Sequence, residues 1–243
     1  MAPETEELKR LITECDHIVF FGGAGVSTES DIPDFRSENG IYKALSEYGH
    51  RPEALLSHHF LMDRPELFFR FYKEKMLYPD ARPNAAHYAL ARLEAEGKLK
   101  TVITQNVDGL HQKAGSQKVL ELHGSVHRNY CVNCRKSFGL EFVAESPGAV
   151  PECDVCGGMV RPDVVLYEEA LDQDVMSESV QFIAETRLLI VGGTSLAVYP
   201  AAGLIQYAKG KVVLINQSAT PYDKQADLVI HDRIGEVLGA AVM

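Results

Sequence analysis

The sequence predicts an α/β protein built on a doubly wound parallel sheet, on three observations. Short runs that are apolar on both faces end in glycine or small polar residues, as buried parallel strands do. Helical patterns alternate with those runs and supply the crossovers that parallel strands require. Two long stretches break the alternation, and one of them carries four cysteines in two Cys-x2-Cys pairs. Together these give a Rossmann-like sheet with a second, smaller domain made of a helical module and a zinc ribbon.

Taken along the chain, HIVFF (17–21) is a β-rich run that breaks into GGAGVSTES, the pattern of a buried strand feeding a glycine turn and a helix. KTVITQN (100–106), RLLIVGGTS (187–195) and KVVLINQS (211–218) repeat it. The clearest helix is NAAHYALARLEAEG (84–97), with Pro83 and Asn84 at its start and Gly97 as its stop. Residues 30–78 read as a loop followed by helices with no strand, too long for a plain crossover. The expected division is therefore a Rossmann-like domain from 1–29, 79–123 and 161–243, a loop and helical module over 30–78, and a ribbon insertion over 124–160.

A chain of 243 residues with 46% hydrophobic content can bury a sizeable core. Its first residues, MAPETEELKR, have no basic n-region and no apolar h-region, so a cytoplasmic protein is expected. The longest uncharged run, 188–208, has the length of a membrane span, but Gly192, Gly193 and Pro200 in it favour strand, turn and helix. A net charge of −10 repels phosphate backbones, so nucleic acid is not expected as a ligand held by charge, while basic peptides would be welcome. A monomer is expected.

The cysteines fall as Cys131-x2-Cys134-x18-Cys153-x2-Cys156. Four thiolates at this spacing suit one tetrahedral Zn²⁺ closed to water, a structural ion that staples a ribbon too small to fold on apolar content. Cys15 is the odd one and is expected in the core.

Gly23-Ala24-Gly25 after a strand lets backbone approach a pyrophosphate at a helix N-terminus. Thr28 holds the place of the third fingerprint glycine, and no acidic residue at a following strand end is placed for a ribose, so the glycines alone support dinucleotide binding and a mere tight turn equally. The other strand ends carry Gln105-Asn106-Val107-Asp108, Gly193-Thr194-Ser195 and Asn216. Each alone could serve an Asx turn or a cap; together they outline a polar pocket at the carboxyl edge of the sheet.

GAGVSTESDIPDFRSENGIY, TQNVDGLHQKAG, LHGS, the four cysteines, RPDVVLYEE, GTSLAVYPAA and VVLIN follow one another in an order that resembles the sirtuins, NAD-dependent protein lysine deacylases, in a bacterial-type single-domain form. The resemblance runs from His17 past Asn216. It implies NAD+ as co-substrate, with Ala24, Thr28, Phe35 and Arg36 on the cofactor loop, Phe35 shielding the nicotinamide-ribose carbon and Arg36 meeting phosphate. It further implies that Gln105 and Asn106 bind the nicotinamide ribose and order water beside it, that Val107 and Asp108 hold the carboxamide, and that Thr194, Ser195 and Asn216 bind the adenosine half, with a last contact near Arg233 and Ile234. His123 in LHGS would be the catalytic base, and Asn106 is counted with it as catalytic.

The implied reaction displaces nicotinamide by the amide oxygen of an acyl-lysine, after which a base removes a ribose hydroxyl proton so that the acyl group can migrate. Histidine suits that task because its pKa lies close to neutral. Products would be nicotinamide, free lysine and O-acyl-ADP-ribose. The partners implied are proteins or peptides with acetylated lysine, pairing as a strand between VVLYEE (164–169) and LAVYP (196–200), with Val165, Leu166, Val198 and Tyr199 as substrate contacts.

The chain departs from the family pattern at Asp31 and Glu168, each standing where glycine is usual, so backbone freedom is lower at both. Desuccinylating relatives resemble one another in a Tyr-x-x-Arg pair; here Tyr72 is followed by Lys75, which lacks the bidentate fork, so acetyl is favoured and Tyr72 is expected to pack in a helix. His87 and His111 read as hydrogen-bonded structural groups, His58 and His59 as caps or surface residues, and His127 as a structural link into the ribbon. Two alternatives stay open: transfer of ADP-ribose to a protein acceptor, and a non-catalytic NAD sensor, the latter needing the pocket but not His123, Asn106 and Asp108 together.

Overall fold

The computed structural model describes residues 2–34 and 47–243. Phe35 and Arg36 therefore lie outside the described residues. The described residues form nine strands: β1 (Ile18–Gly22), β2 (Leu99–Thr104), β3 (Val119–Glu121), β4 (Gly124–Cys131), β5 (Ser137–Phe138), β6 (Val160–Val164), β7 (Leu188–Gly192), β8 (Lys211–Ile215) and β9 (Leu228–Ile230). Six form one parallel sheet in the order β3-β2-β1-β7-β8-β9. Strand order reverses between β1 and β7, which makes that gap the switch point where doubly wound sheets bind ligands. The four strands expected from sequence are the central ones. β3 and β9 sit at the edges and are three residues long, too short to show a period of two.

Alternation along the strands builds two cores. Ile18 and Phe20 of β1, Leu188 and Ile190 of β7, and Val213 and Ile215 of β8 face helices 3–14, 85–95 and 234–242. Val19, Phe21, Leu189, Val191 and Leu214 face helix 173–185 and the 3₁₀ segment 201–207. Truncating a wholly buried ring such as Phe20 to alanine costs about 3–5 kcal/mol. The helix predicted over 84–97 spans Ala85–Ala95, capped by Asn84 and ended at Gly97, whose φ is +73°.

The smaller domain has a core of its own. Leu55, Leu61, Phe68, Phe69, Phe71 and Tyr72 from helices 52–55, 58–63 and 65–75 pack with Val126, Cys131, Leu140, Val143, Cys153 and Val160 from the ribbon. Helical module and ribbon thus share one apolar cluster. The ribbon's sheet is antiparallel in the order β5-β4-β6. Cys15 packs half-buried against the main core, as expected.

Candidate active site and metal centre

The two halves meet at a cleft of about 670 Å³ above the switch point. Two backbones come into contact there: the Gly25 N–H donates to the Gly193 carbonyl at 2.8 Å. A Cβ on Gly193 would sit 2.3 Å from Val26 N, and its φ of +59° is one that glycine adopts without strain. The glycines of the first strand-end loop are therefore needed for loop-to-loop packing as much as for a ligand.

Beyond β1 the loop makes two consecutive 3₁₀ turns, Ala24–Val26 and Thr28–Ser30. Ser27 between them is 1% exposed and lies at the centre of a hydrogen-bond network. Its hydroxyl donates to Asp108 Oδ2 at 2.6 Å and accepts from Asn106 Nδ2 at 3.0 Å. The second Asp108 oxygen accepts from Leu110 N at 2.9 Å, starting helix 110–114. Burial pushes the Asp108 pKa up, while the Ser27 hydroxyl and the Leu110 N–H pull it down. Sequence reasoning alone does not single out Ser27; nothing distinguishes it from an ordinary turn serine until β1 and β2 lie side by side.

His123 follows β3, and its Nδ1–H donates to the Gln105 carbonyl at 3.0 Å. That bond fixes the neutral tautomer and leaves Nε2 with the lone pair a base needs. Burial lowers the His123 pKa from its usual value, opposed by the Gln105 bond, so the ring is held neutral. Gln105 Nε2 donates across the switch point to Thr194 Oγ1 at 3.2 Å, tying the two strand ends together.

Gly124, next to His123, has a φ of +76°, and a Cβ there would lie 2.0 Å from the Asp163 carbonyl. Only glycine lets β4 and β6 pair this close to the histidine. Pairing is regular at Gly124 and Ser125, then slips until Asn129. The slip turns His127 toward the cleft, where its Nε2–H donates to the Asp108 carbonyl at 3.0 Å. His127 is thus structural but braces the Asp108 loop, a contact that its place beside the ribbon does not announce.

Ala24, Thr28, Gln105, Asn106, Val107, Asp108, His123, Thr194, Ser195, Asn216 and Ile234 all line this one cleft. So do Val165, Leu166, Val198 and Tyr199. Val165 N–H donates to the His123 carbonyl at 3.0 Å, so the edge expected to take a peptide is joined to the histidine by a single hydrogen bond. Tyr72 is absent from the lining: it is 1% exposed, stacked on Phe68, with no hydrogen-bond partner for its hydroxyl among the described residues. Lys75 does line the cleft and pairs with Glu47 at 2.9 Å.

Asp31 and Glu168 adopt φ values of +62° and +77°, so both keep the left-handed backbone that glycine would hold more easily. His58 and His59 are exposed, as the surface reading expects, and it is Ser57 that caps their helix; their Nδ1 atoms pair with Glu169 at 2.8 Å and Glu168 at 2.6 Å. Arg161 also grips Glu169, at 2.5 Å; burial would raise that carboxyl, but Arg161 and the Leu166 N–H hold it down at about 2.

The metal centre tests well against the donor set. The four Sγ atoms lie within 4.8 Å of one another, with Cys131–Cys156 at 3.4 Å and Cys134–Cys153 at 3.6 Å. Four sulfurs about 2.3 Å from one zinc ion would stand about 3.8 Å apart at tetrahedral angles. Cys131 and Cys153 are buried in the small-domain core, so an ion held there would fasten the knuckles to that core.

A parallel sheet in this order, with glycine contact at the switch point and hydrogen-bonding side chains around it, defines a dinucleotide-binding α/β protein carrying a ribbon insertion. The Sir2 family model matches residues 23–200. The chain is 62% identical over 237 residues to an NAD-dependent protein deacetylase of Clostridium acetobutylicum, covering 97% of each, and 59% identical to one of Clostridium tetani, covering 98% of this chain and 96% of that one. It superposes with a TM-score of 0.89 on a Sir2 histidine-to-alanine variant bound to deacetylated p53 peptide and 3'-O-acetyl ADP-ribose, at 40% identity with 97% of this chain and 96% of that one covered. A Sir2 complex with p53 peptide and NAD+ matches at a TM-score of 0.85 and 40% identity, over 96% and 95% of the two chains. The chain belongs to the Sir2 family.

Proposed function

We propose that the protein is an NAD-dependent protein lysine deacetylase, which moves the acetyl group of acetyl-lysine to ADP-ribose with release of nicotinamide. The single observation that carries this reading is His123: neutral, with Nδ1 fixed on Gln105 and its own carbonyl bonded to the peptide edge at Val165. Nicotinamide displacement followed by acyl migration needs a proton acceptor between cofactor and peptide, and His123 Nε2 supplies one. Asn106 and Asp108, organised on Ser27, would hold the nicotinamide half, while Thr194, Ser195, Asn216 and Ile234 would meet the adenosine half. NAD, when bound, would supply the electrophilic ribose carbon, and these residues would orient it. Zn²⁺ on the four cysteines would be structural, since a closed thiolate set offers substrate no position.

Basic sequence around the acetyl-lysine is favoured by the net charge of −10 and by Glu168 at the cleft mouth. Acetyl is favoured over succinyl because Tyr72 is turned into the core. Among the described residues no helix is long and apolar enough to cross a membrane, and a cytoplasmic monomer is part of the proposal. Mass spectrometry of NAD mixed with a panel of acylated lysine peptides tests the reading: O-acetyl-ADP-ribose formed in step with free lysine is expected. Nicotinamide release with ADP-ribose appearing on protein, without peptide, would overturn it in favour of ADP-ribosyl transfer; NAD binding without turnover would overturn it in favour of a sensor.

A further inference from the structure

We propose that Asn84 is a positioning residue for the cofactor loop, acting through its side-chain amide on Val26 and Ser30. Resting on the NAD reading above, this assigns a task to a residue whose sequence context announces only a helix start.

Asn84 does two separable things. Its Oδ1 accepts from Ala86 N at 3.0 Å, and its backbone N–H donates to His87 Nδ1 at 3.2 Å, which together make a capping box for helix 85–95. Its Nδ2 group does nothing for that helix. It reaches across the fold to donate to the Val26 carbonyl at 2.8 Å and the Ser30 hydroxyl at 2.9 Å.

Those two acceptors end the two 3₁₀ turns that carry Ala24 and Thr28. One NH2 group therefore sets the distance between the turns and anchors both to a rigid helix end. Val26 is 0% exposed and Ser30 6%, so the bonds are sheltered from competing water. Ser27, the hub for Asn106 and Asp108, lies between the anchored points. The helix end is itself braced from the other side, where the His87 ring packs on His111, 4.8 Å between centroids, in the helix that Asp108 starts. One helix N-terminus thus anchors the cofactor loop and packs on the helix that follows the Asn106–Asp108 loop, beside the direct bonds that Ser27 makes between the two loops.

Asn84→Asp and Asn84→Ser separate the two tasks, because both residues cap helices well and neither has an amide NH2. NAD affinity is measured by titration calorimetry, melting temperature by circular dichroism, and KM for an acetylated peptide in the turnover assay. Two lost hydrogen bonds predict about a tenfold or greater weakening of the NAD dissociation constant. The same two lost bonds are expected to lower the melting temperature by about 3–9 °C, while peptide KM is expected at the parental value. Ser30→Ala, which leaves the helix cap untouched, is expected to weaken NAD binding about threefold. Parental NAD affinity in the Asn84 variants would overturn the proposal, as would a loss matched by an equal rise in peptide KM, which would mark a general structural role. NAD binding by the parent in the same titration tests the proposed function on its own, so the two can fail separately.

Discussion

Ser27→Ala tests the network on which the cleft is organised. Removing the hydroxyl leaves Asp108 Oδ2 without a donor at 2.6 Å and the Asn106 amide without an acceptor at 3.0 Å, at a position 1% exposed. A hydrogen bond to a carboxylate is worth about 1.5–3 kcal/mol and a neutral one about 0.5–1.5, so the pair amounts to about 3 kcal/mol. For a domain of this size each kcal/mol moves the melting temperature by about 3 °C, giving an expected fall of about 9 °C. Asn106 and Asp108 are freed to swing toward solvent, and kcat/KM for NAD should fall about tenfold or more through misplacement alone. Thermal unfolding by circular dichroism and initial rates of nicotinamide release read the two effects. Coupling is checked in a double-mutant cycle, where Asn106→Ala should cost less once Ser27 is alanine. A variant that melts within about 2 °C of the parent, or a cycle that is additive, would refute the network.

His123→Ala should reduce deacetylation by roughly 10²–10⁴-fold with an unchanged circular dichroism spectrum. In the parent the neutral ring is the active form and burial lowers its pKa from 6.5, so activity should fall only as pH drops through a value below 6.5. An acid limb above 6.5 in a pH–rate profile would contradict that assignment. Cys153→Ala, or a strong chelator, should release one zinc per chain and lower the melting temperature; parental metal content by plasma mass spectrometry would count against the ribbon site. Tyr72→Phe removes a buried hydroxyl with no partner among the described residues and should stabilise the fold by about 1 kcal/mol while leaving the acetyl-to-succinyl rate ratio unchanged. A shift in that ratio would bring Tyr72 back into the acyl pocket.

The central strands were legible because each is an apolar run closed by a polar strand end, and the zinc centre because cysteine spacing is a one-dimensional record of a tetrahedron. What escaped depends on contacts between segments far apart in the chain. Ser27 gains its partners from residues about eighty positions away, Asn84 from residues more than fifty positions back, and His127 from a slip in strand pairing that no hydrophobic period encodes. The edge strands escaped for a different reason: three residues do not make a pattern.

β4 begins one residue after His123 and ends on Cys131. Because side chains alternate along a strand, adding or deleting one residue within it would invert every position beyond the change and swing the first thiolate to the opposite face. The slip between Ser125 and Asn129 is where a change in length could be absorbed. A ribbon exchanged between relatives should therefore be cut at that slip or carried over together with β6, whereas a splice in the regular part of the strand would displace either the histidine or the cysteine. The eight residues of β4 act as a ruler, and the distance they measure constrains how this fold can be recombined.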